Sequence, residues 1–186
     1  MTVEQAFYFK IMLICGYSDE LFEYIENTLN EQTSYEEVIV DLAFCGYNEK
    51  QMLSVLESYI RHKKEKVDFD VIIDSIFRFL QKKYLDSETS VESLVKLMYR
   101  IGQLSELNME EEEPWFTMRI FDSLYFDAME GYIDKDEYLQ NLKAFIFERE
   151  SCSDFQSYKT VKQQSRVKTY LQNLINRLKL KSQKGR

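Results

Sequence analysis

The segment Phe69-Asp70-Val71-Ile72-Ile73-Asp74-Ser75-Ile76-Phe77-Arg78-Phe79-Leu80 sets Phe69, Ile72, Ile73, Ile76, Phe77 and Leu80 at offsets 0, 3, 4, 7, 8 and 11. That spacing builds one apolar face of an α-helix, with Asp68 placed to cap its first turn. The same rule accounts for the flanking chain. Met52, Leu53, Leu56, Tyr59 and Ile60 form a stripe behind an Asn48 cap. Val91, Leu94, Val95, Met98 and Ile101 form another behind Thr89 or Ser90, with Gly102 expected to end that helix in a left-handed conformation.

Towards the N-terminus, Val3 to Cys15 is apolar on most sides and reads as a central helix. A second follows with Ser18 as cap and Leu21, Ile25 and Leu29 on one face. A third carries Tyr35, Val38, Ile39, Leu42 and Ala43. Beyond a loop at Leu104 to Glu113, Pro114 suits a helical first turn. Trp115, Met118, Phe121, Leu124 and Tyr125 then lead to a stop at Gly131. Asp134 and Glu137 make a capping-box-like start for Tyr138, Leu139, Leu142, Phe145 and Ile146. Val167, Tyr170, Leu171, Leu174, Ile175 and Leu178 predict a last helix. The expectation is an all-α protein of about nine helices, arranged as an irregular bundle or a short stack of helix hairpins.

A local repeat bears on that choice. Cys15-Gly16-Tyr17-Ser18 and Cys45-Gly46-Tyr47-Asn48 share one grammar: Gly closes a helix, Tyr packs across the joint, and Ser or Asn caps the next. Gly131-Tyr132-Ile133-Asp134 repeats it with one extra residue. Two hairpins of about thirty residues fall short of the three or more units that a solenoid needs.

Composition excludes more than it assigns. The 186 residues include 45% hydrophobic residues, only five Gly and one Pro, enough apolar material for a core and few turn-makers. No stretch approaches the roughly 20 apolar residues that cross a bilayer, and Met1 to Ala6 carries no basic n-region, so a cytoplasmic location is expected. Cys15, Cys45 and Cys152 form no C-x-x-C pair. Cys15 and Cys45 follow apolar runs and read as small core hydrophobes.

With one histidine, His62, at a helix end, the usual two-His zinc sites are missing. Five scattered glycines form no phosphate loop. An EF-hand register on Gly131 puts Glu137 at position twelve but Phe126 and Ala128 at the first two ligand positions, which leaves too few oxygens for calcium. Pairs such as Asp70 with Asp74, or Glu130 with Asp134, read as solvated faces. No catalytic residue, metal or cofactor is expected, and the chain reads as a binding protein rather than an enzyme.

Charge is unevenly distributed. Residues 158–186 hold nine basic and no acidic residues, which leaves 15 basic against 32 acidic in residues 1–157, a net of −17. The expected organisation is an acidic helical domain, 1–157, and a basic amphipathic helix, 158–186. Its Lys168, Arg177, Lys179 and Lys181 either dock on the acidic body or meet a polyanion such as RNA or an anionic membrane. The acidic body calls for a protein partner with a basic surface. Glu110, Glu111, Glu112 and Glu113 are the candidate contact charges, beside Trp115 and Phe116 as aromatic anchors.

From Glu36 to about Gln103 the chain resembles the helical family named domain of unknown function 2247. The resemblance is carried by Val40-Asp41-Leu42-Ala43-Phe44, Met52-Leu53-Ser54-Val55-Leu56-Glu57, the helix from Ile72 to Tyr84, and Ser93-Leu94-Val95-Lys96-Leu97-Met98-Tyr99. It implies a small acidic bacterial protein of a kind in which an immunity role against secreted toxins is expected for some members. It assigns no residue a role. The most concrete expectation is thus an immunity or antitoxin protein that neutralises a basic, nuclease-type toxin. A helical adaptor or structural interaction protein is the alternative.

Overall fold

In the computed structural model, residues 1–31, 34, 36–63, 67–104 and 113–149 are described. They contain eight helices and no strand: α1 (Val3–Ile14), α2 (Asp19–Glu31), α3 (Glu37–Phe44), α4 (Glu49–Lys63), α5 (Phe69–Leu85), α6 (Val91–Gly102), α7 (Trp115–Met129) and α8 (Lys135–Glu148). The ninth helix of the sequence reading, the boundary drawn at residue 157 and the basic segment all lie outside the described residues.

Helix α1 is central, as its all-round apolarity predicts: nine of its twelve residues are buried, Lys10 among them. Lys10 keeps its charge solvated by proxy, with Nζ 3.3 Å from Glu57 Oε1 on α4. Around α1 pack α4 and α5; α5 in turn meets α6 and α8, while α2 lies on α3, α3 on α4, α6 on α7 and α7 on α8. The pairings α1 with α4, α1 with α5 and α5 with α8 skip along the chain, so this is a helical bundle. The stripe on α5 buries Ile72, Ile76, Phe77 and Leu80, and Phe79 is also buried, because three helices surround it.

Local chemistry sets the helix ends. Asp68 accepts from the Asp70 N–H at 3.0 Å, Asn48 from Gln51 at 3.2 Å, Ser90 from Ser93 at 3.1 Å and Asp134 from Glu137 at 2.8 Å. Each satisfies an amide that the first helical turn leaves open. At α1 and α7 the chain closes in the same way. Gly16 and Gly131 take φ of +84° and +77°, and the following tyrosines donate N–H to Met12 O and Asp127 O, each at 2.8 Å. This is a Schellman closure, available because glycine has no Cβ to clash.

Gly102 corrects the sequence reading. It sits inside α6 and has no left-handed backbone; Gln103 caps the helix with φ of −92°. A Cβ on Gly102 would lie 2.8 Å from both the Trp115 carbonyl oxygen and Arg119 Cγ. The glycine is there for the close crossing of α6 and α7. Cys45 is a second correction. It is half-buried, whereas Cys15 is buried, because Cys45 lies past the Val38, Ile39, Leu42 stripe that faces the core.

Candidate functional site

Helix α2 is acidic and sparsely buried. Asp19, Glu20, Glu23, Glu26 and Glu31 are its charges, the helix itself holds no basic residue although Lys82 of α5 pairs with Glu20 at 3.1 Å, and of thirteen residues only Leu21 and Ile25 are buried. Phe22, Ile25 and Leu29 stand at i, i+3 and i+7, which puts them on one face. They form one wall of an open groove of about 340 Å³, completed by Leu42 and Ala43 of α3 and Met52 of α4, with Glu26, Asn30 and Tyr47 at its lip.

At the α3–α4 joint two aromatic rings stand in solvent: Phe44 is 86% exposed and Tyr47 88% exposed. Gly46, at φ of +56°, turns the chain between them. The Tyr47 ring meets Phe22 edge-on at 5.0 Å, which links the joint to the groove wall. From Asp19 to Lys63 there are ten acidic and three basic residues. The apolar groove thus lies in a region where acidic side chains outnumber basic ones by more than three to one.

A second, larger cleft of about 840 Å³ runs between α3 and α4. Glu36, Glu37 and Asp41 lie on one side, Ser54, Ser58, His62 and Lys63 on the other. His62 Nδ1 lies 2.7 Å from the Ser58 carbonyl oxygen and 3.3 Å from its Oγ. A carbonyl only accepts, so Nδ1 carries the proton and offers no lone pair to the Ser58 hydroxyl. The two thiols among the described residues are held in their protonated form. Burial pushes Cys15 up to about 11 despite Arg100, and burial followed by the Asp41 charge raises Cys45. Among the described residues no group of three or more His, Cys, Asp or Glu side chains is placed to hold a metal ion.

Of the residues singled out from sequence, Glu110, Glu111 and Glu112 lie outside the described residues, as do Lys168, Arg177, Lys179 and Lys181. Glu113 is exposed and accepts from Thr117 Oγ1 at 2.7 Å. Trp115 is only 4% exposed and belongs to the core. Phe116 is half-buried, with the Arg119 guanidinium 6.0 Å from its ring centre. Asp74, read as part of a solvated pair, binds Arg149 at 2.6 Å.

Sequence reasoning missed Phe44, although a signal existed. Val38, Ile39 and Leu42 share one face, and Phe44 stands two residues past the last of them, on another side of the helix.

No helix among the described residues is long and apolar enough to cross a membrane. No family model, curated protein or solved structure matches the chain.

Proposed function

We propose that this is a non-catalytic binding protein whose partner presents a basic surface with apolar side chains. Its most concrete form is an immunity or antitoxin protein that neutralises a basic, nuclease-type toxin. The observation that carries the reading is the acidic α2–α4 region, where an apolar groove has the exposed Tyr47 ring at its lip and Phe44 stands exposed at the same α3–α4 joint.

Two large rings in water forgo roughly 1.5–3 kcal/mol each that burial would return, so a partner that covers them gains affinity. The surrounding carboxylates attract a cationic surface from a distance and speed encounter. A nuclease binds a polyanion and carries such a surface at its active site, so an acidic protein seated there also blocks substrate.

The test is affinity capture with the full-length chain at low salt, followed by a salt titration of each captured protein. The expected result is a basic nuclease whose affinity falls steeply with salt and whose activity is lost in the complex. Absence of any basic partner, or a nuclease bound with undiminished activity, overturns the reading. The adaptor alternative draws support from the same groove and expects binding that survives high salt, since buried apolar area would then dominate.

A further inference from the structure

We infer that the groove between α2, α3 and α4 seats one amphipathic helix of the partner, apolar where it enters the groove and basic where it meets the acidic lip. This rests on the reading above and adds the shape and chemistry of the partner's contacting element.

Three observations select that occupant. The groove walls are helices, whose backbone amides and carbonyls are spent on their own hydrogen bonds, so no open ladder is offered to an extended strand. What remains is side-chain surface, and Phe22, Ile25 and Leu29 present it at i, i+3 and i+7, the period that the apolar stripe of a second helix matches. The lip then sets the charge. Glu26 is the carboxylate that lines the groove, and α2 as a whole carries five acidic residues and no basic one. An acidic or uncharged helix would leave the Glu26 carboxylate facing like charge or losing water without return. At the α3–α4 end Tyr47 supplies an exposed ring to the lip for the partner's apolar stripe, and Phe44 stands exposed three residues before it.

The experiment uses the full chain and a fluorescein-labelled synthetic peptide about five helical turns long, with Leu at i, i+3, i+4 and i+7 and Lys elsewhere. A peptide of the same composition in scrambled order and one with Glu in place of Lys are the controls, and the readout is fluorescence anisotropy. The striped basic peptide is expected to bind at least tenfold more tightly than either control. Phe44→Ala combined with Tyr47→Ala, and separately Ala43→Arg, should each weaken it at least tenfold while circular dichroism is unchanged, because all three side chains are exposed.

Equal binding of the scrambled peptide, or variants that bind as the parent does, overturns the inference. So does self-association of the chain that these same substitutions abolish, since the groove would then belong to a second copy. A basic partner protein that still binds the Ala43→Arg variant with parental affinity sinks the groove assignment alone, and leaves the proposed function standing on another surface.

Discussion

Tyr138 and Phe121 are joined twice. The Tyr138 hydroxyl donates to the Phe121 carbonyl oxygen at 3.0 Å, and the two rings meet edge-on with centroids 5.8 Å apart. One residue thus fixes both the height and the rotation of α8 on α7. Its burial, then the charges of Asp122 and Tyr125, push the phenol well above its ordinary value. Tyr138→Phe keeps the ring and deletes the hydrogen bond, and is expected to cost about 1 kcal/mol, the net worth of a neutral buried bond. Urea denaturation at neutral pH reads this directly. A variant as stable as the parent would show that the hydroxyl contributes nothing.

Gly102→Ala tests a different demand. In an ordinary helix interior this change stabilises by roughly 0.5–1 kcal/mol. Here the new Cβ would lie 2.8 Å from the Trp115 carbonyl oxygen, a backbone atom that moves only if α7 moves. Overpacking of this kind costs about 1–3 kcal/mol, so the variant should be less stable by denaturant midpoint. Gly16→Ala meets nothing within 4 Å. Its cost, from φ of +84° alone, should be about 1–2 kcal/mol. A stabilised Gly102→Ala would mean that the two helices cross further apart.

These two glycines also mark what periodicity can read. The caps at Asn48, Asp68, Ser90 and Asp134 and the turns at Gly16 and Gly131 are local, and local chemistry predicts them. Spacing alone picks out most of the buried faces of α5, α6 and α8, but it includes Phe69, which is 37% exposed, and passes over Phe79 and Leu97, which are buried. Gly102 answers to a residue on another helix, and no pattern within α6 distinguishes a closing glycine from a crossing one. The groove is hidden for the same reason. Spacing marks Leu21, Ile25 and Leu29 as apolar, but which of them a neighbour covers depends on where α3 and α4 come to rest. Leu21 and Ile25 are buried and Leu29 is left at the groove. Trp115 is the converse case: beside an acidic run it reads as an aromatic anchor for a partner, while the fold buries it at the start of α7, the helix that packs on α6.

Glu4 gives the protein a dependence on acid. Its own backbone amide and that of Asp68 hold the carboxyl below its ordinary 4.5, and the Asp68 N–H donates to Oε1 at 3.3 Å, tying α1 to the start of α5. A carboxyl lowered on folding stabilises the protein above its unfolded value, and that contribution fades as pH falls through the folded value. Glu4→Gln retains an acceptor but does not titrate. The parent should therefore melt higher near pH 6, with the gap to Glu4→Gln closing towards about pH 3. Thermal melts across that range measure it, and a gap that stays constant would rule out this carboxyl as a source.

The two cysteines within the described residues should differ in reactivity. At pH 8 a thiol raised to about 11 is thiolate in only about one molecule in a thousand, and Cys15 is 2% exposed besides. Cys45, raised by burial and then by the Asp41 charge, is half-exposed, with its Sγ 3.2 Å from the Asp41 carbonyl oxygen. Iodoacetamide followed by peptide mass mapping should find Cys45 modified well before Cys15, with the difference vanishing in denaturant. Equal rates in the native protein would place Cys15 at the surface.

Phe44→Ala and Phe121→Ala separate a ring that serves contact from one that serves folding. Phe121 is fully buried and touches Phe145 at 5.4 Å between centroids, so its truncation should cost about 3–5 kcal/mol in lost burial and cavity. Phe44, at 86% exposure, has almost no burial to lose. Its truncation should leave stability within about 0.5 kcal/mol of the parent. The chain places Phe44 in water two residues after Leu42, which is wholly buried, so its side chain can be removed without touching the core. A loss above about 2 kcal/mol would put the ring inside the protein and remove the surface on which the binding reading stands. A neutral result leaves Phe44 available for contact, and the loss of binding in the Phe44→Ala and Tyr47→Ala chain then cannot be attributed to unfolding.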